Sequence, residues 1–123
     1  MILVDTSVWV DHLRLGDATL EGLLESGRVL AHAFVIGELA LGDLRQRDLV
    51  LDALHDLPQA VVATETEVLH FIVKHALYGT GIGYIDAHLL AAVRLTAGSC
   101  LWTRDKRLLD AANRSGLAAD LPR

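Results

Sequence analysis

Sixteen of the 123 residues are carboxylates, and most have an ordinary role. Asp17, Glu21 and Glu25 recur every four residues opposite a row of leucines, and Asp48, Asp52 and Asp56 repeat the pattern, so both sets read as solvated helix faces. Asp110 sits one turn from Lys106, Arg107 and Arg114 and also reads as surface. Glu65 and Glu67 fall in a first helical turn, which favours negative charge. Asp11 can pair with Arg14, Asp43 follows a helix end and Asp120 lies in the tail. Four acids remain: Asp5, Glu38, Asp86 and Asp105.

Glu38 stands out because Phe34, Val35 and Leu41 are its helical neighbours, and a lone carboxylate on such a stripe costs several kcal/mol unless it is neutral, paired or on a metal (of order 2–7 kcal/mol for burial of a polar group). Asp86 shares a stripe with Leu89, Leu90 and Val93. Asp5 and Asp105 each follow an apolar strand and precede a helix. Singly, Asp5 and Asp105 are explained as N-caps and Asp86 as a charge serving the helix dipole. Together they imply more. Strand-end acids of a parallel sheet project from its carboxyl edge, where open α/β folds build their sites. Helices carrying Glu38 and Asp86 must turn their apolar faces toward the same sheet. Four carboxylates sharing a pocket cannot all stay ionised without a cation. Ligation by oxygen alone selects a hard ion, Mg²⁺ or Mn²⁺.

The elements that must position these acids are short. Strands are expected at 2–4, 29–31, 60–63 and 99–103, and helices at 7–15, 17–26, 33–41, 45–57, 64–77, 84–97 and 105–116. Thr64 and Glu67 form a capping-box pattern that opens the fifth helix. Apolar strands separated by helices, never by tight hairpins, predict a parallel α/β sheet covered on both faces. The length suits one domain, residues 1–123, and with 52% apolar residues it can fill a core without staples. A mean hydropathy of +0.37 excludes bulk disorder. No apolar run reaches the roughly 18–20 residues of a membrane span, and the N-terminus lacks the basic leader of a signal peptide. With Cys100 as the sole cysteine, an intracellular, cytoplasmic, soluble protein is expected. A net charge of −5 excludes a general nucleic-acid coat but not a nuclease.

Asp5 within LVDTSVWV, Glu38 within FVIGELALG, Asp86 within GIGYIDAHLLAA and Asp105 within LWTRDKRLLDAA resemble the four acidic motifs of PIN-domain ribonucleases, most closely the VapC toxins of bacterial toxin–antitoxin pairs. The resemblance runs from residue 1 to about residue 116 in the family's order and spacing. It implies a three-layer sandwich with a short parallel sheet of four or five strands. It also implies that the four acids hold Mg²⁺ or Mn²⁺, that a metal-activated water hydrolyses RNA, and that Thr6, Ser7 and Thr103 lie beside the site. A homodimer and a cognate VapB-like antitoxin are the partners it implies. Many relatives carry a further acid just after the fourth, where this chain has Lys106 and Arg107, a departure that bears on a second metal ion.

Arg104, Lys106 and Arg107 flank Asp105 and are candidates for substrate phosphate or, equally, a solvated helix start. The Gly79-Thr80-Gly81-Ile82-Gly83 cluster follows a helix rather than a strand, the wrong context for a nucleotide fingerprint, and is expected to be a loop that places Asp86. His88 is expected to be structural, Trp9 and Trp102 core residues, and Cys100 a buried small hydrophobe. Two other functions fit the size and acidity. A phosphoacceptor receiver domain needs an aspartate ending the middle strand and a lysine ending a later one, and neither is present. A non-catalytic binding module requires the acids to serve structure alone.

Overall fold

A computed structural model describes residues 1–122. At its centre is β1 (Ile2–Val4), flanked by β2 (Val29–Leu30) and β3 (Cys100–Trp102), with all pairings parallel and the order β2-β1-β3. Ile2 faces Val29 and Cys100, Leu3 faces Leu30 and Leu101, and Val4 faces Trp102. All of β1 is buried. A central parallel strand loses water on both faces, so three consecutive apolar residues, not alternating ones, mark it.

The expected fourth strand at 60–63 is absent, and the sheet has three strands rather than four or five. What remains is a single parallel bridge, Ala31 to Gln59, made by the Ala31 N–H to the Pro58 carbonyl and the Ala60 N–H to the Ala31 carbonyl, both 2.8 Å. β2 ends at once in His32, which caps the next helix, so the ladder runs out of partners there. Pro58 lacks an N–H to extend it. On the other edge Leu117 and Ala119 straddle Leu101 in a second single bridge, which the sequence did not suggest.

The helices are α1 (Thr6–Leu15), α2 (Ala18–Glu25), α3 (Ala33–Ala40), α4 (Arg47–Asp56), α5 (Glu65–Lys74), α6 (Tyr84–Leu95) and α7 (Lys106–Arg114). The Thr64–Glu67 capping box is formed, with bonds of 2.9 and 3.2 Å. α5 stops earlier than expected, before Ala76 takes a left-handed φ of 50°. α6 is the core helix. Its seven residues from Ala87 to Val93 are all buried, and it packs on α5 and β3. Trp9 and Trp102 are buried as expected, whereas Cys100 is only half-buried. Among the described residues no helix is long and apolar enough to cross a membrane.

Candidate active site

Because Val4 and Trp102 pair in register, the residues just beyond them emerge side by side at the carboxyl edge of the sheet. Asp5 is anchored there by its N–H to the Trp102 carbonyl, 2.9 Å. It occupies the N-cap position of α1, yet its side chain caps nothing. The carboxylate is 5% exposed, and its Oδ2 accepts the Ser7 and Thr103 hydroxyls, each at 2.7 Å. Each hydroxyl has one proton, so the Ser7–Thr103 contact of 3.3 Å is proximity rather than a third bond. As acceptors, Ser7 takes the Arg104 N–H and Thr103 the Asp105 N–H, both at 3.0 Å. Among the described residues Asp5 Oδ1 has no hydrogen-bond partner, whereas Oδ2 accepts both hydroxyls.

The other three acids arrive from separate elements. Asp105 does cap α7, with Oδ1 accepting the Leu108 N–H at 3.0 Å. Asp86 is half-buried in the first turn of α6 and accepts the Gly83 N–H at 3.3 Å. Glu38, on α3, receives the Thr6 hydroxyl at 2.7 Å. Glu38 is exposed, contrary to the burial its neighbours implied. The stripe that enters the core is Val35, Ile36 and Leu39, whereas Leu41 lies past the last turn and is 91% exposed.

Asp86 registers the whole group. Its carboxyl is pushed up to about 6, first by burial, against the Gly83 hydrogen bond, and then by the charges of Asp5, Asp105 and Glu38. The four carboxylates therefore share one field. Even so, no three of them stand close enough to enclose an ion among the described residues. The all-oxygen, mutually repelling donor set fits a hard divalent cation such as Mg²⁺ or Mn²⁺.

Several neighbours escaped the sequence. Arg104 bridges to Asp11 at 3.0 Å and to Asp17, and lies over the Trp102 ring at 5.4 Å. Asp11 thus pairs with Arg104 rather than Arg14. Asp17 is not on a solvated face: it caps α2 through the Leu20 N–H, and that bond and then Arg104 hold its carboxyl below the usual range. Behind Asp86 lies a chain of edge-to-face rings, His32–Phe34–His88–Tyr84, with centroids 5.3, 4.6 and 4.7 Å apart. His32 is fully buried and uses Nδ1 to accept the Phe34 N–H at 3.0 Å. Burial, with the nearby His88, pushes it down to about 4.

A short parallel sheet with acids gathered at its carboxyl edge defines a small α/β domain of a recognisable kind: the PIN domain matches residues 2–114, and the chain belongs to that family. Within it the chain stands with the VapC proteins. It is 52% identical over 118 residues to "Ribonuclease VapC32" of Mycobacterium tuberculosis, in strain H37Rv and in strain CDC 1551 alike, covering 96% of this chain and 95% of that protein. The fold is similar to the crystal structure of PAE2754 from Pyrobaculum aerophilum, with a TM-score of 0.59 and 19% identity, covering 92% of this chain and 80% of that one. It is also similar to the structure of FitAB bound to an IR36 DNA fragment, with a TM-score of 0.59 and 18% identity, covering 92% and 91%.

Proposed function

We propose that the protein is a Mg²⁺- or Mn²⁺-dependent endoribonuclease acting as the toxin of a toxin–antitoxin pair. The observation that carries the chemistry is the shared field of Asp5, Glu38, Asp86 and Asp105, felt at Asp86. Half-identity to a ribonuclease along nearly the whole chain supports RNA as the substrate.

The four acids would hold the cation. Ser7 and Thr103 fix Asp5, and Thr6 orients Glu38, so that Asp5 serves as the rigid member and the exposed acids as the adjustable ones. When bound, a hard divalent ion lowers the pKa of water and stabilises charge on phosphoryl oxygens. Of the three basic candidates, Arg104 is engaged by Asp11 and Asp17. Lys106 and Arg107 carry no ion pair among the described residues, and phosphate contact is assigned to them. Purified protein should cleave RNA with Mg²⁺ or Mn²⁺, stop when the ion is chelated and recover when it is restored. Ca²⁺ should support turnover poorly because its coordination is loose. Undiminished cleavage in excess EDTA would refute the metal-dependent reading.

A partner surface lies next to the acids. Val8, Trp9, Leu20 and Leu23 are core residues. Val10, Leu13 and Leu15 of α1 remain at the surface. They line a groove of about 650 Å³ that runs between α1, α3 and α4 to Thr6 and Glu38. An amphipathic antitoxin segment would fill this groove and place a lysine or arginine against the acids. The second proposed partner is another copy of the chain, for which exposed Leu69 and Val73, four residues apart on α5, supply a separate apolar face. Light scattering should show a dimer in the absence of antitoxin, and co-expression with the adjacent small reading frame should give a complex that does not cleave RNA. A monomer at micromolar concentration would overturn the dimer, and a complex cleaving at full rate would overturn occlusion.

A further inference from the structure

Away from the carboxylates, a cavity of about 610 Å³ opens between the glycine loop and α7, lined by Gly79, Thr80, Arg107, Asp110, Asn113 and Arg114 among others. In a chain with five more acids than bases, Arg107 and Arg114 pair with no acid among the described residues. Among the described residues the only ion pairs are those of Arg104. Arg114 merely touches the His75 carbonyl at 3.5 Å. Asp110 shares the wall but pairs with neither guanidinium.

Gly81 explains how Arg107 is held there. It adopts a φ of +86°, and a Cβ at this position would stand 2.9 Å from Arg107 Nη1, 3.1 Å from Cδ and 3.2 Å from Cζ. Glycine takes that backbone conformation without strain, and a side chain at this position would push the Arg107 guanidinium aside. Within the glycine cluster it is Gly81 that lies against Arg107. Both walls of the cavity lead to the acids. The loop continues into Gly83, whose N–H holds Asp86, and α7 begins at Asp105.

We propose that this cavity is a phosphate subsite for single-stranded RNA, in which Arg107 and Arg114 hold a backbone phosphodiester next to the one being cleaved. The assignment rests on the ribonuclease reading and extends it to a second contact. Phosphate contacts by cations release counterions, so each one steepens the salt dependence of binding, by about 0.7 in log K against log salt for a single strand.

The test titrates a short fluorescent single-stranded RNA into Asp86→Asn protein, chosen because it should bind RNA while cleaving it slowly, at several salt concentrations with Mg²⁺ present. Arg107→Gln and Arg114→Gln, added singly, should each weaken binding about three- to tenfold and flatten the slope by about 0.7. Asp110→Asn should tighten binding, because it removes the one adverse charge on the wall. Gly81→Ala should weaken binding and be non-additive with Arg107→Gln, since both unseat the same group. Unchanged slopes in the two exposed arginine variants overturn the subsite whatever Gly81→Ala does. If the wild type still cleaves RNA in that case, the ribonuclease reading survives alone. If the wild type neither binds nor cleaves RNA, both fall.

Discussion

Asp86→Asn should reduce RNA cleavage on the order of a thousandfold, the scale of losing one preorganised group that stabilises transition-state charge, and yet yield a more stable metal-free protein at neutral pH. Folded Asp86 titrates at about 6 against an ordinary 3.8. Between those values the folded chain holds a proton that the unfolded chain has released. Stability therefore falls as pH rises through this window, and the penalty is complete above about 6. Taken whole, the shift is worth about 3 kcal/mol, and screening at a half-buried carboxyl reduces this to roughly 1–2 kcal/mol. Asparagine has no such proton. The stability gap between variant and wild type should be negligible near pH 4 and reach its full value by pH 7.

Histidine makes the wild-type profile deceptive. His32 is held near 4 against an ordinary 6.5, so the folded chain keeps it neutral while the unfolded chain takes up a proton. Its contribution is lost as pH falls from about 6.5 toward 4, opposite in sign to that of Asp86 over nearly the same window. Burial shifts His88 and His75 in the same direction as His32. The wild type should show a shallow profile in which these effects offset, and Asp86→Asn should expose the steeper acid loss. Glu38→Gln should also abolish cleavage without loss of stability. Mg²⁺ should raise the wild-type melting temperature by mass action and do so less in either variant. Denaturation in EDTA across pH 4–8 together with a cleavage assay measures all of this. A variant that unfolds, or one that still cleaves, removes that acid from the site.

The features legible in the sequence are those settled by near neighbours. The Thr64–Glu67 capping box needs only one helical turn, and an all-apolar β1 needs only burial on both faces. That Asp5 and Asp105 emerge at one edge of the sheet follows from one rule about parallel sheets. What stayed hidden depends on distant pairing. Asp17 and Arg104 are 87 residues apart, and no periodicity announces their bridge. The length of a ladder depends on when its partner turns away, and β2 gives way to a helix cap at His32. Glu38 was misjudged because a stripe of apolar neighbours does not say which side of a short helix meets the core. The sequence reading set it beside the other acids on the strength of a burial it does not have.

Thr103→Val should be the most damaging conservative change at the site, because it keeps the shape and removes one hydroxyl. Thr103 is 1% exposed, donates to Asp5 at 2.7 Å and accepts the Asp105 N–H at 3.0 Å. It thus ties the buried acid that follows β1 to Asp105, the N-cap of α7. Valine leaves a buried carboxylate with Ser7 as its one remaining donor and orphans the Asp105 N–H. Hydrogen bonds to charged groups are worth about 1.5–3 kcal/mol, so a loss of roughly 2–3 kcal/mol is expected by chemical denaturation. If the hydroxyl serves only the fold, the damage ends there. If it holds Asp5 for a cation, Mn²⁺ affinity measured by calorimetry should also fall on the order of ten- to a hundredfold, the usual effect of removing a group that orients a ligand. Thr103→Ser separates the two. It restores the donor and loses a buried methyl, so it should remain about 1 kcal/mol less stable than the wild type while recovering most of the Mn²⁺ affinity. Equal Mn²⁺ binding by the wild type and Thr103→Val would reduce the Ser7–Asp5–Thr103 arrangement to a structural clasp.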